Sequence, residues 1–253
     1  MKTVLARHAW WLGPGLLCVL AGGLLLAPPI AQPQDYHRLA DARALALGPW
    51  TLPNAADVLS SLAFVVVGVA GLGLLRRAPA PQQLPLGVFF AGLALIGPGS
   101  IHYHLAPTDT TLFWDRLAMS IAFAGAVGAV AAERLGPVAG RAWLCAWLLL
   151  GMLALTQWRL ADDLRLYLVV QFGGFALLSV WLALPCLPGC LRLPWGWLLL
   201  AYALAKLFEM ADQAVWTLSG GLLAGHALKH LVAALGVLPL LHALARPHNS
   251  GGR

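Results

Sequence analysis

The side chains equipped for chemistry lie in three short stretches: Ser100-Ile-His-Tyr-His104, Asp115 eleven residues later, and His226-Ala-Leu-Lys-His230. His226 and His230, four apart, share one face of a helix, so both imidazoles can reach a single metal ion. A third imidazole from a facing helix, His104, completes a three-histidine set and leaves the fourth position of a tetrahedral zinc ion to water. Zinc lowers the pKa of such a water toward about 7 and polarises a bound carbonyl, which is what hydrolysis of an unreactive amide requires. Asp115 suits the general base that later returns the proton to the leaving nitrogen. Ser100, one helical turn before His104, can orient the water or donate to the developing oxyanion.

Each of these residues also has a plainer reading. A histidine at the end of an apolar helix is an interfacial group, and His102 is read that way because it points nearly opposite to His104. A histidine pair four apart can be hydrogen-bond glue between helices. It can also ligate haem, but bis-histidine haem draws one ligand from each of two helices and has no use for Asp115. Asp115 can pair with its neighbour Arg116. Lys206 and Glu209, three apart in a later apolar run, read as an ion pair within one helix. Asp212 and Asp57 are candidates to accept an N–H from a metal-bound imidazole. Cost favours the metal reading. An aspartate inside a bilayer costs roughly 2.5 to 3.5 kcal/mol on insertion scales, and five polar groups meeting at one depth is poorly explained by accident.

The elements that must position these groups are membrane helices. Of 253 residues, 60% are hydrophobic and 10% charged, against about a quarter charged in soluble domains. A hydrocarbon core needs about 20 apolar residues of helix. Eight such runs occur, approximately Trp10–Ile30, Ala55–Leu75, Leu84–His104, Thr111–Ala132, Val138–Trp158, Leu164–Leu184, Trp195–Trp216 and Leu222–Leu244. The expected fold is therefore all-α, a polytopic membrane helix bundle. The polar stretch Gln32–Pro53 is expected to form a structured loop or a short interfacial helix, and the first run, preceded by Lys2 and Arg7, a signal anchor.

The 16 Lys and Arg against 10 Asp and Glu leave a formal charge of +6. The basic residues are scattered through short loops, so they are a topology signal and no nucleic-acid partner is expected. With eight spans, Lys2, Arg7, Arg76, Arg77, Arg134, Arg141, Arg192, Arg246 and Arg253 fall on one side, which predicts cytoplasmic termini. The starts of the fourth and eighth runs and the end of the third then share the outer face, bringing Ser100, His104, Asp115, His226 and His230 to one depth. Cys18, Cys145, Cys186 and Cys190 read as free structural thiols.

Gly97-Pro-Gly-Ser100-Ile-His-Tyr-His104, Leu112-Phe-Trp-Asp115-Arg-Leu-Ala-Met119 and Gly225-His226-Ala-Leu-Lys-His230-Leu resemble the alkaline ceramidases of the CREST superfamily, and in particular bacterial-type ceramidase-domain proteins. The resemblance spans about Asn54 to Leu244. It implies a seven-helix catalytic core over 54–245; the first hydrophobic run is one extra N-terminal transmembrane helix relative to that core, so that 1–53 is expected to be a signal-anchor helix and external loop and 246–253 a short cytoplasmic tail. It further implies zinc on His104, His226 and His230, with Asp115 and Ser100 beside the metal. The implied activity is hydrolysis of the amide of ceramide-like lipids to a sphingoid base and a fatty acid, in a bacterial plasma membrane with the site toward the outer face. The family's Asn-x-x-Ser-Asn motif reads Asp57-Val-Leu-Ser60-Ser61 here, and its acidic calcium cluster is not recognisable around Asn54, so calcium is not carried over. Two other readings stand beside this one: a receptor-like membrane protein with a structural zinc, and a hydrolase of another lipid amide or ester. Oligomeric state is not read from the sequence.

Overall fold

The computed structural model describes residues 2–246, with side chains from residue 14 onward; most of the expected tail, 247–253, lies outside the described residues. The chain is an all-α membrane bundle. Among the described residues, six helical segments are long and apolar enough to cross a membrane: Ala55–Arg77, Ala80–Leu105, Asp109–Arg134, Pro137–Ala161, Arg165–Leu182 and Gly225–Ala245. The protein is thus a multi-pass membrane protein. Its outward faces carry the exposed leucines, valines and methionines of such a bundle, for example Leu59, Val66 and Val69 on one helix and Leu149, Met152 and Leu153 on another.

The first helix, α1 (Lys2–Leu26), stops before Pro28-Pro29, short of the expected Ile30, because consecutive prolines cannot continue the backbone ladder. The stretch expected to be a loop or interfacial helix holds a 3₁₀ turn over Gln34–His37 and a hairpin of β1 (Leu45–Leu47) and β2 (Trp50–Leu52). Gly48 takes the positive φ of +63° that this turn needs. The bundle follows with α2 (Ala55–Leu74), α3 (Ala80–Leu105), α4 (Asp109–Arg134), α5 (Pro137–Ala161), α6 (Arg165–Leu168), a π-helical turn over Val169–Gly173, and α7 (Gly174–Leu182).

The run expected as one span from Trp195 to Trp216 is broken at Ala211 into α8 (Trp195–Met210) and α9 (Asp212–Leu218). The last run begins later than expected, as α10 (Gly225–Leu235) and α11 (Leu238–Ala245), interrupted at Gly236-Val237 with Pro239 just beyond. All four cysteines are free.

Small residues set how closely the central helices approach. A Cβ on Gly92 would lie 2.4 Å from the Ala122 nitrogen, and one on Gly125 2.2 Å from that of Phe89, so α3 and α4 touch backbone to backbone. Near the chemically interesting end the same device recurs, since a Cβ on Gly99 would meet the Trp114 carbonyl at 2.9 Å. α4 is the buried centre of the bundle, with Ala124, Ala129, Ala131 and Ala132 fully enclosed.

The segment between α1 and α2 is stitched across one end of the bundle. Tyr36 Oη donates to Glu209 Oε1 (2.9 Å), His37 bridges Asp109 and Tyr103 (3.0 and 3.1 Å), and the Ala40 N–H donates to Asp212 Oδ2 (3.0 Å). Asn54, in a left-handed conformation, donates to the His104 carbonyl at 2.8 Å. Burial beside Glu209 pushes the Tyr36 phenol well above its ordinary pKa, so it remains a donor.

Candidate metal centre and its cavity

His104 comes from the last turn of α3, and His226 and His230 from the first two turns of α10. All three imidazoles are buried, at 0%, 4% and 4% exposure. Their rings meet at centroid separations of 4.8 to 5.1 Å. One nitrogen from each lies within 4.8 Å of the others, a grouping that can hold one metal ion.

Neither ring nitrogen of His104 has a partner among the described residues, nor has Nε2 of His226. Buried polar atoms left unpaired cost about 1 to 3 kcal/mol each. A cation shared by the three rings would take one nitrogen from each, which accounts for one of the two on His104 and for that of His226; the second His104 nitrogen keeps no partner among the described residues. The donor set of three neutral imidazoles suits zinc, copper, iron or nickel, so the residues present fit a transition metal without selecting one.

His230 is oriented by α2. Ser60 Oγ donates to the Asp57 carbonyl (3.1 Å) and lies 2.9 Å from His230 Nδ1. With the serine proton on that carbonyl, Ser60 can accept from Nδ1–H, the tautomer that leaves Nε2 with the free lone pair a metal needs. Ser61 Oγ hydrogen-bonds Ser100 Oγ at 3.1 Å. Neither serine was assigned a role from the sequence, although both lie in the Asp57-Val-Leu-Ser60-Ser61 stretch. Their spacing from Asp57 carried the signal, because hydroxyls three and four residues on can cap a helical carbonyl.

Asp115 and Ser100 are brought together with His230 on the wall of one cavity, of about 1050 Å³ including its open mouth. The plainer alternative, a pairing of Asp115 with Arg116, does not form. Arg116 is turned away, with Nη2 2.6 Å from Gln32 Oε1 and its guanidinium over Trp158 and Tyr167 at 4.2 and 4.8 Å. Flat aromatic faces beside a weakly hydrated guanidinium hold the cation without an acid, and Asp115 is left facing the cavity. His102 is exposed, in keeping with its interfacial reading.

Neither outer carboxylate accepts the imidazole N–H for which it is a candidate. Asp212 accepts the backbone N–H of His226 at 2.7 Å, not a ring N–H. It therefore fixes where α10 begins, because the first N–H groups of a helix lack partners within it. Asp57 is fully buried and its two carboxylate oxygens meet no donor among the described residues; its backbone carbonyl, not its side chain, serves Ser60 and Ser61.

From the polar end the cavity runs along α4 past Met119, Ala122 and Phe123 to Ala126 and Val127. Twelve residues of helix separate Asp115 from Val127, about 18 Å at 1.5 Å per residue. α3, α7 and α8 complete an apolar wall with Phe89, Leu178 and Leu198. Gln171, in the π-helical turn, and Tyr202 are the polar interruptions along this stretch. Such a shape accepts a long hydrocarbon chain with its polar end at the histidines.

No protein-family model, curated protein or solved structure matches the chain. The ceramidase resemblance consequently rests on the residues quoted for it, and the geometry around them is the independent observation.

Proposed function

We propose that this protein is a zinc-dependent amidohydrolase of the membrane that cleaves ceramide-like lipids to a sphingoid base and a fatty acid. The observation that carries the reading is the position of Asp115 and Ser100. They sit beside a buried three-histidine group with unpaired ring nitrogens, at the polar end of an apolar cavity long enough for most of an acyl chain. A purely structural ion has no need of an aspartate without an ion pair among the described residues and an open cavity beside it.

His104, His226 and His230 would hold the ion, and a divalent metal there supplies Lewis-acid activation of a water and of the amide carbonyl. The chain's own groups do the rest. The cavity takes the acyl tail and thereby fixes the carbonyl at its polar end. Asp115 accepts a proton from the water whose oxygen bonds to the carbonyl carbon, then delivers it to the nitrogen as the carbon–nitrogen bond breaks. Ser100, tied to Ser61, orients the water or donates to the carbonyl oxygen as negative charge develops. The charge bias of the short loops puts both termini in the cytoplasm and the site near the outer leaflet of a bacterial plasma membrane, where a lipid can enter laterally and the released amine can leave toward water.

The test is bound metal and fatty-acid release from a ceramide panel in detergent, comparing wild type with Asp115→Asn and His226→Ala. Asp115→Asn should keep the metal and lose at least 100-fold in turnover, while His226→Ala should lose both. Full turnover in Asp115→Asn refutes the mechanism, and metal without hydrolysis of any lipid amide by wild type favours the structural-zinc, receptor-like reading.

A further inference from the structure

The cavity wall beside the candidate metal centre carries charge for which the hydrolysis above has no use. Lys206 and Glu209 of α8 and Lys229 of α10 line it together with Asp115 and His230. Glu209 is shared. Its Oε2 pairs with Lys206, while its Oε1 accepts from Lys229 at 2.7 Å and from the Tyr36 hydroxyl at 2.9 Å. One carboxylate is thus saturated by two ammonium groups and a phenol.

The ammonium groups are not saturated in return. Each has three donors, and among the described residues each is hydrogen-bonded only to Glu209. Asp115 is ion-paired with neither. If neutralising Glu209 were the whole purpose, one lysine would do. Lys229, only partly exposed, lies in a helical segment long enough to span the membrane, where a cation is costly, and such residues mark the paths of polar ligands. The two lysines, from different helices, line the same cavity as Asp115 and His230.

We propose that Lys206 and Lys229, braced by Glu209, form a subsite for a lipid carboxylate, and that besides ceramide-like lipids the site takes lipid amides carrying an acidic group beside the scissile bond, N-acyl amino acids being the simplest. The substrate half of this inference rests on the amidohydrolase reading; the subsite does not. A ceramide offers hydroxyl groups at this point, which accept from an ammonium more weakly than a carboxylate does. The carboxylate has two possible sources, the amino-acid part of the substrate and the fatty acid that hydrolysis releases, and the experiment separates them.

The metal-loaded protein and its Lys206→Gln and Lys229→Gln variants are given a long-chain N-acyl glycine, the matching neutral N-acyl ethanolamine and a ceramide. Separately, metal-free proteins are titrated with a fluorescent fatty acid displaced by the unlabelled acid or by the fatty alcohol. Each single variant leaves Glu209 one lysine, and a thermal midpoint within a few degrees of wild type confirms folding. Wild type should prefer the acyl glycine over the ethanolamine amide at least tenfold in kcat/KM. Each variant should lower that ratio about tenfold, with Lys→Arg retaining it.

Loss of fatty-acid affinity in the variants without any preference among amides identifies the carboxylate as that of the released acid and overturns the substrate half. Unchanged preference and unchanged fatty-acid affinity in both variants overturn the subsite. Lysine-dependent fatty-acid binding by a protein that hydrolyses no amide upholds the subsite and removes the amidohydrolase reading instead.

Discussion

Gly225→Ala should damage the metal centre without touching a ligand. A Cβ at this position would sit 2.2 Å from the Phe208 carbonyl oxygen and 2.8 Å from Asp212 Cα, where ordinary contact begins at 3.4 Å. The first turn of α10 must therefore retreat from α8 by 3.4 − 2.2, about 1.2 Å, or the backbone of α8 must yield by the same amount. His226 is the next residue, and its N–H is the one held by Asp212 at 2.7 Å, so the imidazole travels with the displaced turn. Metal–ligand distances tolerate about 0.2 Å, so the shift is several times what the centre can absorb. A misplacement of this size costs about 100-fold in rate, and the overpacking itself costs about 1 to 3 kcal/mol of stability. The assay is metal retention against a competing chelator, with lipid-amide turnover measured on the same samples. Gly73→Ala is the control, because nothing lies within 4 Å of its added Cβ. A folded Gly225→Ala protein with wild-type metal retention and turnover would refute the argument that this contact sets the position of His226.

Ser60→Ala removes the acceptor that orients His230 Nδ1 (2.9 Å); metal affinity in chelator competition should fall roughly 10- to 100-fold, as for other partners of metal-bound histidines. Asp163 is held by Arg165 at 2.8 Å and by the Ile30 N–H, and the Arg165 hydrogen bonds keep its carboxyl well below the usual range. A lowered native pKa stabilises the fold at pH values above the ordinary carboxylate pKa of about 3.9, and that contribution is lost as pH falls through the native value. Asp163→Asn should thus lower the thermal midpoint at pH 7 and flatten its decline below about pH 4, and equal midpoints for both proteins across that range would count against the pairing.

Much of the bundle is legible in the chain because a membrane helix is written in local terms: about 20 apolar residues, ended by proline, glycine or charge. The expected runs over Ala55–Leu75, Thr111–Ala132 and Val138–Trp158 lie within or nearly coincide with observed helices. The breaks at Ala211 and Gly236 were not legible, since hydropathy does not register a local departure from helical geometry. The three histidines were legible for a similar reason. Helical periodicity places His226 and His230 on one face, and alternating spans bring His104 to the same depth.

Depth and face are one-helix properties, and the sequence by itself determined them. Which groups actually touch depends on how helices rotate and approach, and that was decided by tertiary packing. Gly99 and Gly225 let α3 meet α4 and α10 meet α8 closely enough to bring Asp115 and His226 into place. Arg116 could have paired with Asp115 by sequence distance, but the aromatic faces of Trp158 and Tyr167, more than forty residues away, claimed it. Lys229 reads as one more polar residue between two histidines until α8 lies beside it and Glu209 joins it to Lys206. A side chain's type and spacing are carried along the chain, whereas its partner is chosen across space by whatever packing leaves within reach.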